Sequence, residues 1–185
     1  MEDSIRDYLD SFEKKVMNDV LQHLSNSGIL NGKLLESDDI NAVWESVAPF
    51  YIADSVKEIA KYPNVALGWA MYLGMAVAKY WDDDWERYGN NENIYYHIRD
   101  IRGFDFMDEV VRADILGLSS DDYDNCEEMV RKVTDMVLSG IRHEQIEPQS
   151  PMAFHVFARS IRVLYKIGAS VTLKSLGYRF ERSGN

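Results

Sequence analysis

The sequence predicts an all-α protein: a single-domain bundle of six or seven helices around a central apolar helix over about residues 64–88. Three observations carry that expectation. Apolar residues recur at spacings of three and four along most of the chain, and strand-like alternation is almost absent. The stretch from Tyr62 to Ala78 has no charged residue, and a helix apolar on every side must be wrapped by others. Its small residues Ala66, Ala70, Gly74 and Ala78 fall four apart, forming a ridge that a neighbouring backbone can approach closely.

Each element follows in turn. Ile5, Leu9, Phe12, Val16, Val20 and Leu24 define a first helix, closed by Asn26-Ser27-Gly28, where glycine suits the left-handed cap. Ser37 is an N-cap for the second, with Asp38 and Asp39 in a first turn whose dipole favours anions. The stripe of Ile40, Val43, Trp44, Val47, Tyr51, Ile52, Val56 and Ile59 passes Pro49, expected to kink or split the helix by removing a donor, and Pro63 ends it. The central helix stops at Gly89-Asn90-Asn91.

Ile94, Tyr95, Ile98 and Ile101 form the next stripe. Gly103 interrupts it, and Phe106, Met107, Val110 and Val111 resume it before Gly117, as one bent helix or two short ones. Ser119 or Ser120 caps the clearest amphipathic helix, striped by Cys126, Met129, Val130, Val133, Met136, Val137 and Ile141. The pairs Glu127–Arg131 and Glu128–Lys132 lie outside it. Ser150-Pro151 opens the last helix, which runs to about Leu176 with Gly177 as cap, and residues 178–185 read as a loose tail. The last and central helices are the most apolar and form the expected inner pair. Gly140 and Gly168 each cost about 1 kcal/mol relative to alanine in mid-helix, which close helix crossing would explain.

A chain of 185 residues, 46% apolar and 28% charged, falls in the ordinary range of one globular domain. Cys126 is alone and the opening MEDSIRDYLD lacks the features of a secretory signal, so the cytoplasm is the expected compartment. The uncharged run holds Pro63 and two glycines and has few strongly apolar side chains, which makes it core rather than a bilayer span.

Charge is uneven. Residues 1–150 carry 14 Lys and Arg against 30 Asp and Glu, whereas residues 151–185 carry 6 against 1, within a net charge of −11. Such a body repels phosphate backbones and acidic membranes; it attracts basic proteins and cations.

Chemistry is suggested at one place. Asp82, Asp83 and Glu86 fall on adjoining faces one turn apart, a spacing at which three carboxylates could hold Mg²⁺. Over Asp82-Asp83-Asp84-Trp85-Glu86 the chain resembles the aspartate-rich helix motif of prenyl and terpene synthases, and the resemblance implies magnesium bridged to a diphosphate. Those enzymes are longer and carry a second acidic motif; the nearest counterpart, Asp121-Asp122-Tyr123-Asp124-Asn125, lacks the final acid and starts a helix. The simpler reading leaves the last turns solvated, with Asp83 paired to Arg87 and with Trp81 and Trp85 as a lid on the bundle end. Successive aspartates at a helix C-terminus oppose the dipole, so a local partner is expected.

Arg159, Arg162, Lys166 and Lys174 share one stripe of the last helix, either paired with acidic neighbours or open to a phosphate or carboxylate. His23, His97, His143 and His155 form no metal-binding spacing, and Cys126 lies on an apolar stripe as an inert thiol. Two functions follow from this pattern. The first is a non-enzymatic module that binds a protein partner or a second copy of itself. The alternative is a small Mg²⁺-dependent enzyme or ligand-binding bundle acting on an anionic small molecule through Asp82, Asp83 and Glu86, with Arg159, Arg162, Lys166, Trp81 and Trp85 around the ligand. Neither calls for nucleic acid, a membrane, or a cofactor other than Mg²⁺.

Overall fold

The structure, a computed structural model, describes residues 2–89 and 94–179. It is helical throughout, with no strand among the described residues. Four long helices, α1 (Glu2–Asn26), α2 (Asp38–Lys61), α6 (Ser120–His143) and α7 (Pro151–Ser175), accompany the central one, α3 (Pro63–Tyr88). The segment between α3 and α6 holds two short pieces, α4 (Ile94–Arg99) and α5 (Met107–Glu109), the latter flanked by a 3₁₀ turn (Phe104–Phe106) and a π-helical turn (Val110–Ile115). Gly103, at φ 91°, separates them, so the stripe that the sequence left as one bent or two short helices is broken there.

The apolar run behaves as its composition dictates. Every residue from Ala66 to Ala78 is buried except Trp69, which is half-buried and donates its indole N–H to the Phe104 carbonyl at 2.8 Å. The most extensive packing in the molecule is between α3 and α7, the pair expected to be innermost. Gly74 abuts the Tyr165 carbonyl and Gly168 abuts the Met71 carbonyl, so the two backbones meet with no side chain between them.

Helix directions follow from pairs of contacts. Gly74 faces Tyr165 and Ala169, and Asp82 meets Tyr178 further along, so α3 and α7 run the same way. Arg159 meets Asp10 while Lys174 meets Asn31, which aligns α1 with them. Tyr51 donates to the Ala66 carbonyl and Trp81 points at Asp39, so α2 is antiparallel. Gly68 lies against Val130 and Thr134 and Met75 meets Cys126, so α6 is antiparallel too. The ends of α1, α3 and α7 and the starts of α2 and α6 therefore share one end of the bundle.

Several local expectations need correction. Of the kink or split expected at Pro49, the split does not occur: α2 runs from Asp38 to Lys61 with the proline inside it. Ile5, on the first stripe, is 39% exposed because α1 overhangs the core at its start. Ser119 and Ser150 cap α6 and α7 by accepting the N–H of Asp122 and Ala153, whereas Ser37 occupies its N-cap without a side-chain bond. Gly168 is a crossing point, but Gly140 has open space where its Cβ would be.

Candidate functional site

The acid cluster sits where α3 leaves the core, and the backbone changes there. Asp84 has φ −165° and ψ 80°, which breaks the helical run. Its carboxylate then accepts the Arg87 N–H at 3.2 Å, so Asp84 acts as the N-cap of a final turn that Gly89 closes on the Trp85 carbonyl. This relieves the conflict between three aspartates and a helix C-terminus, because one of the three now faces a new N-terminus.

The remaining carboxylates are engaged separately. Asp83 pairs with Lys79 one turn back rather than with Arg87, which the break carries away. Asp82 accepts the Tyr178 hydroxyl at 2.7 Å, and this bond together with burial raises the phenol above its ordinary range. Glu86 lies beyond the break. Asp82, Asp83 and Glu86 are all exposed, and among the described residues no group of three or more His, Cys, Asp or Glu side chains is placed to hold a metal ion. Trp81 stacks on Tyr178 at 5.1 Å with its N–H 3.4 Å from Asp39, and Trp85 lies against Gly89.

The basic stripe of α7 is directed at α1. Arg159 bonds Asp10 at 2.8 Å and Glu13 at 2.6 Å, Arg162 grips both oxygens of Glu13, and Lys166 lies 3.5 Å from Glu36. Burial raises the Glu13 carboxyl, but the hydrogen bonds from Arg162 and Arg159 outweigh it and hold the group below its ordinary value. With α3 and α7 parallel, Arg162 stands about 20 Å along the axis from the acid cluster at 1.5 Å per residue. The two halves expected to share a ligand do not meet.

A cluster that the sequence reading missed centres on Arg112, the one buried charged side chain among the described residues. Its guanidinium bonds Asp108 at 2.9 Å and Glu127 at 3.1 Å and lies between the rings of Tyr123 and Tyr72, at 4.0 and 5.5 Å. Burial raises Asp108 despite that guanidinium, and burial pushes the nearby Cys126 thiol up to about 11. Glu127 is thereby drawn away from Arg131, its expected partner. The available signal was Asp108 four residues before Arg112, an ordinary helical pair. What the spacing could not show is the π-helical turn at Val110–Ile115, where Val110, Val111 and Arg112 are all buried.

The same bundle end holds a cavity of about 550 Å³ between the α1–α2 connection and the end of α7. Leu30 and Leu35 form its apolar wall, and Lys33, Lys174, Tyr178 and Arg179 its polar one. Lys174 donates to the Gly28 carbonyl at 3.4 Å and to Asn31 Oδ1 at 3.1 Å. Tyr178 thus stands between two features, the acid cluster through its hydroxyl and ring and the cavity through its position.

No family model, curated protein or solved structure matches this chain. Among the described residues no helix is long and apolar enough to cross a membrane.

Proposed function

We propose that this chain is a non-enzymatic cytoplasmic module that binds a basic protein partner at the end of the bundle where α3 and α7 finish. One observation supports the reading above the rest. The topology gathers three acidic stretches, distant in sequence, at that end: Asp38 and Asp39 of α2, Asp82 to Glu86 of α3, and Asp121, Asp122 and Asp124 of α6, every carboxylate among them exposed.

Arg159, Arg162 and Lys166 of the basic stripe are meanwhile paired with Asp10, Glu13 and Glu36, so their charge is not available to an acidic partner. Trp81, half-buried beside the carboxylates, offers a ring face for a lysine or arginine. A field of this sign accelerates encounter with a cationic surface and loses strength as salt rises.

The test is a titration with a labelled lysine-rich peptide followed by fluorescence anisotropy. A triple variant, Asp82→Asn with Asp83→Asn and Glu86→Gln, is expected to weaken binding about tenfold, the equivalent of 1.4 kcal/mol. A charge-matched variant elsewhere, Asp7→Asn with Asp19→Asn and Glu45→Gln, is expected to change it far less. Equal losses in the two would reduce the attraction to net charge and overturn the site.

A further inference from the structure

We infer that the cavity between the α1–α2 connection and the end of α7 is a binding site for a phosphate group, carried by a small molecule or free. The inference goes beyond the partner-binding end and does not rest on it.

It starts from how α7 spends its cations. Arg159, Arg162 and Lys166 each face a carboxylate of α1 or of the α1–α2 connection. Lys174, on the same helix, is held among the described residues by neutral acceptors, the Gly28 carbonyl and Asn31. Arg179, just past the helix, makes no hydrogen bond or ion pair among the described residues. These two cations without a carboxylate both line the cavity, and Lys33 adds a third positive charge to its wall.

The lining is unusual for this molecule. In a chain with 31 acidic residues, the cavity wall carries three basic side chains and no carboxylate among the described residues. A volume of about 550 Å³ falls within the span of small-molecule sites, and Leu30, Leu35 and the Tyr178 ring supply an apolar surface for the body of an ester. A phosphate dianion is the simplest ligand for Lys174 and Arg179 together, since it offers each of them a separate oxygen, and the Arg179 guanidinium can bond two at once. The negative end of α7 does not compete for that role: the carbonyls of Thr172, Leu173 and Lys174 already accept the N–H groups of Leu176, Tyr178 and Gly177.

The experiment titrates the full chain with phenyl phosphate and, separately, with inorganic phosphate at fixed ionic strength. Melting temperature and the fluorescence of Trp81, which touches Tyr178, are the readouts. A saturable rise in melting temperature is expected with at least one probe. Arg179→Gln, a substitution at an exposed position with no partner to lose among the described residues, is expected to weaken that binding about tenfold. Lys166→Gln, on the same helix but outside the cavity, is expected to leave it unchanged, as is the Asp83→Asn, Glu86→Gln double variant, which keeps the bond between Asp82 and Tyr178 and separates this site from the acidic end. Phenyl phosphate binding at least tenfold tighter than inorganic phosphate would identify an organic ester as the ligand, and equal affinities would identify the phosphate ion. No saturable effect from either probe, or an effect that survives Arg179→Gln, overturns the proposal.

Discussion

Gly74 and Gly168 are reciprocal: each lies where a Cβ would overlap a carbonyl oxygen of the other helix, Tyr165 for the first and Met71 for the second. Backbone cannot rotate away as a side chain can, so the closest approach in the core depends on two missing methyl groups. Alanine at either position gains about 1 kcal/mol of helix propensity but must push α3 and α7 apart. We expect a net loss of about 2 to 3 kcal/mol, seen as a fall of several degrees in melting temperature. Gly140→Ala is the control, since nothing lies within 4 Å of its Cβ position, and it should stabilise by about 0.5 to 1 kcal/mol.

Glu13 ties α1 to α7, and its carboxyl is held below the ordinary value of 4.5. A depressed native value means that the stabilisation is complete above the unfolded value and is lost as pH falls through the native one. Glu13→Gln should therefore cost about 1 to 2 kcal/mol at neutral pH, by loss of charged hydrogen bonds to two half-exposed arginines. The difference between variant and parent in urea denaturation should shrink steadily below pH 4.5. A gap independent of pH would show that the pair contributes through packing alone.

Arg112→Met should be more damaging than its position on a short, irregular segment suggests. The variant strands Asp108 in a half-buried site, and breaking a buried pair from one side costs about 3 kcal/mol or more. Adding Asp108→Asn should recover part of that loss, because the second substitution removes the uncompensated charge. If the double variant is no better than the single one, the cation's contacts with Tyr72 and Tyr123 carry the stability instead. Chemical denaturation of the three proteins separates these cases.

Much of this fold is legible in the residues themselves. The Tyr62–Ala78 run had to be enclosed because no face of it tolerates water, and the stripes of α1, α2, α6 and α7 show which sides face it. The caps at Ser119 and Ser150 and the left-handed turns at Gly28 and Gly177 were equally visible, since each depends on a residue and its immediate neighbours.

The site was much less legible. The spacing of Asp82, Asp83 and Glu86 assumes a straight helix, and the extended backbone of Asp84 falls between Asp83 and Glu86. Gly140 and Gly168 look alike in the sequence; only one lies at a crossing. The arginines of α7 were seen, but the identity of their partners was not, and those partners lie about 150 residues away on α1.

The sequence by itself determined an all-helical chain organised on α3, because helix formation, capping and burial of a periodic stripe are local preferences summed over a few turns. Tertiary structure alone decided which charges are neutralised and which remain available. Glu13 silences two arginines, Arg112 is sealed between two rings, and Lys174 and Arg179 are left beside a cavity. An ion pair is settled by distances of a few ångströms between helices, and side-chain spacing along one helix carries no information about its neighbour.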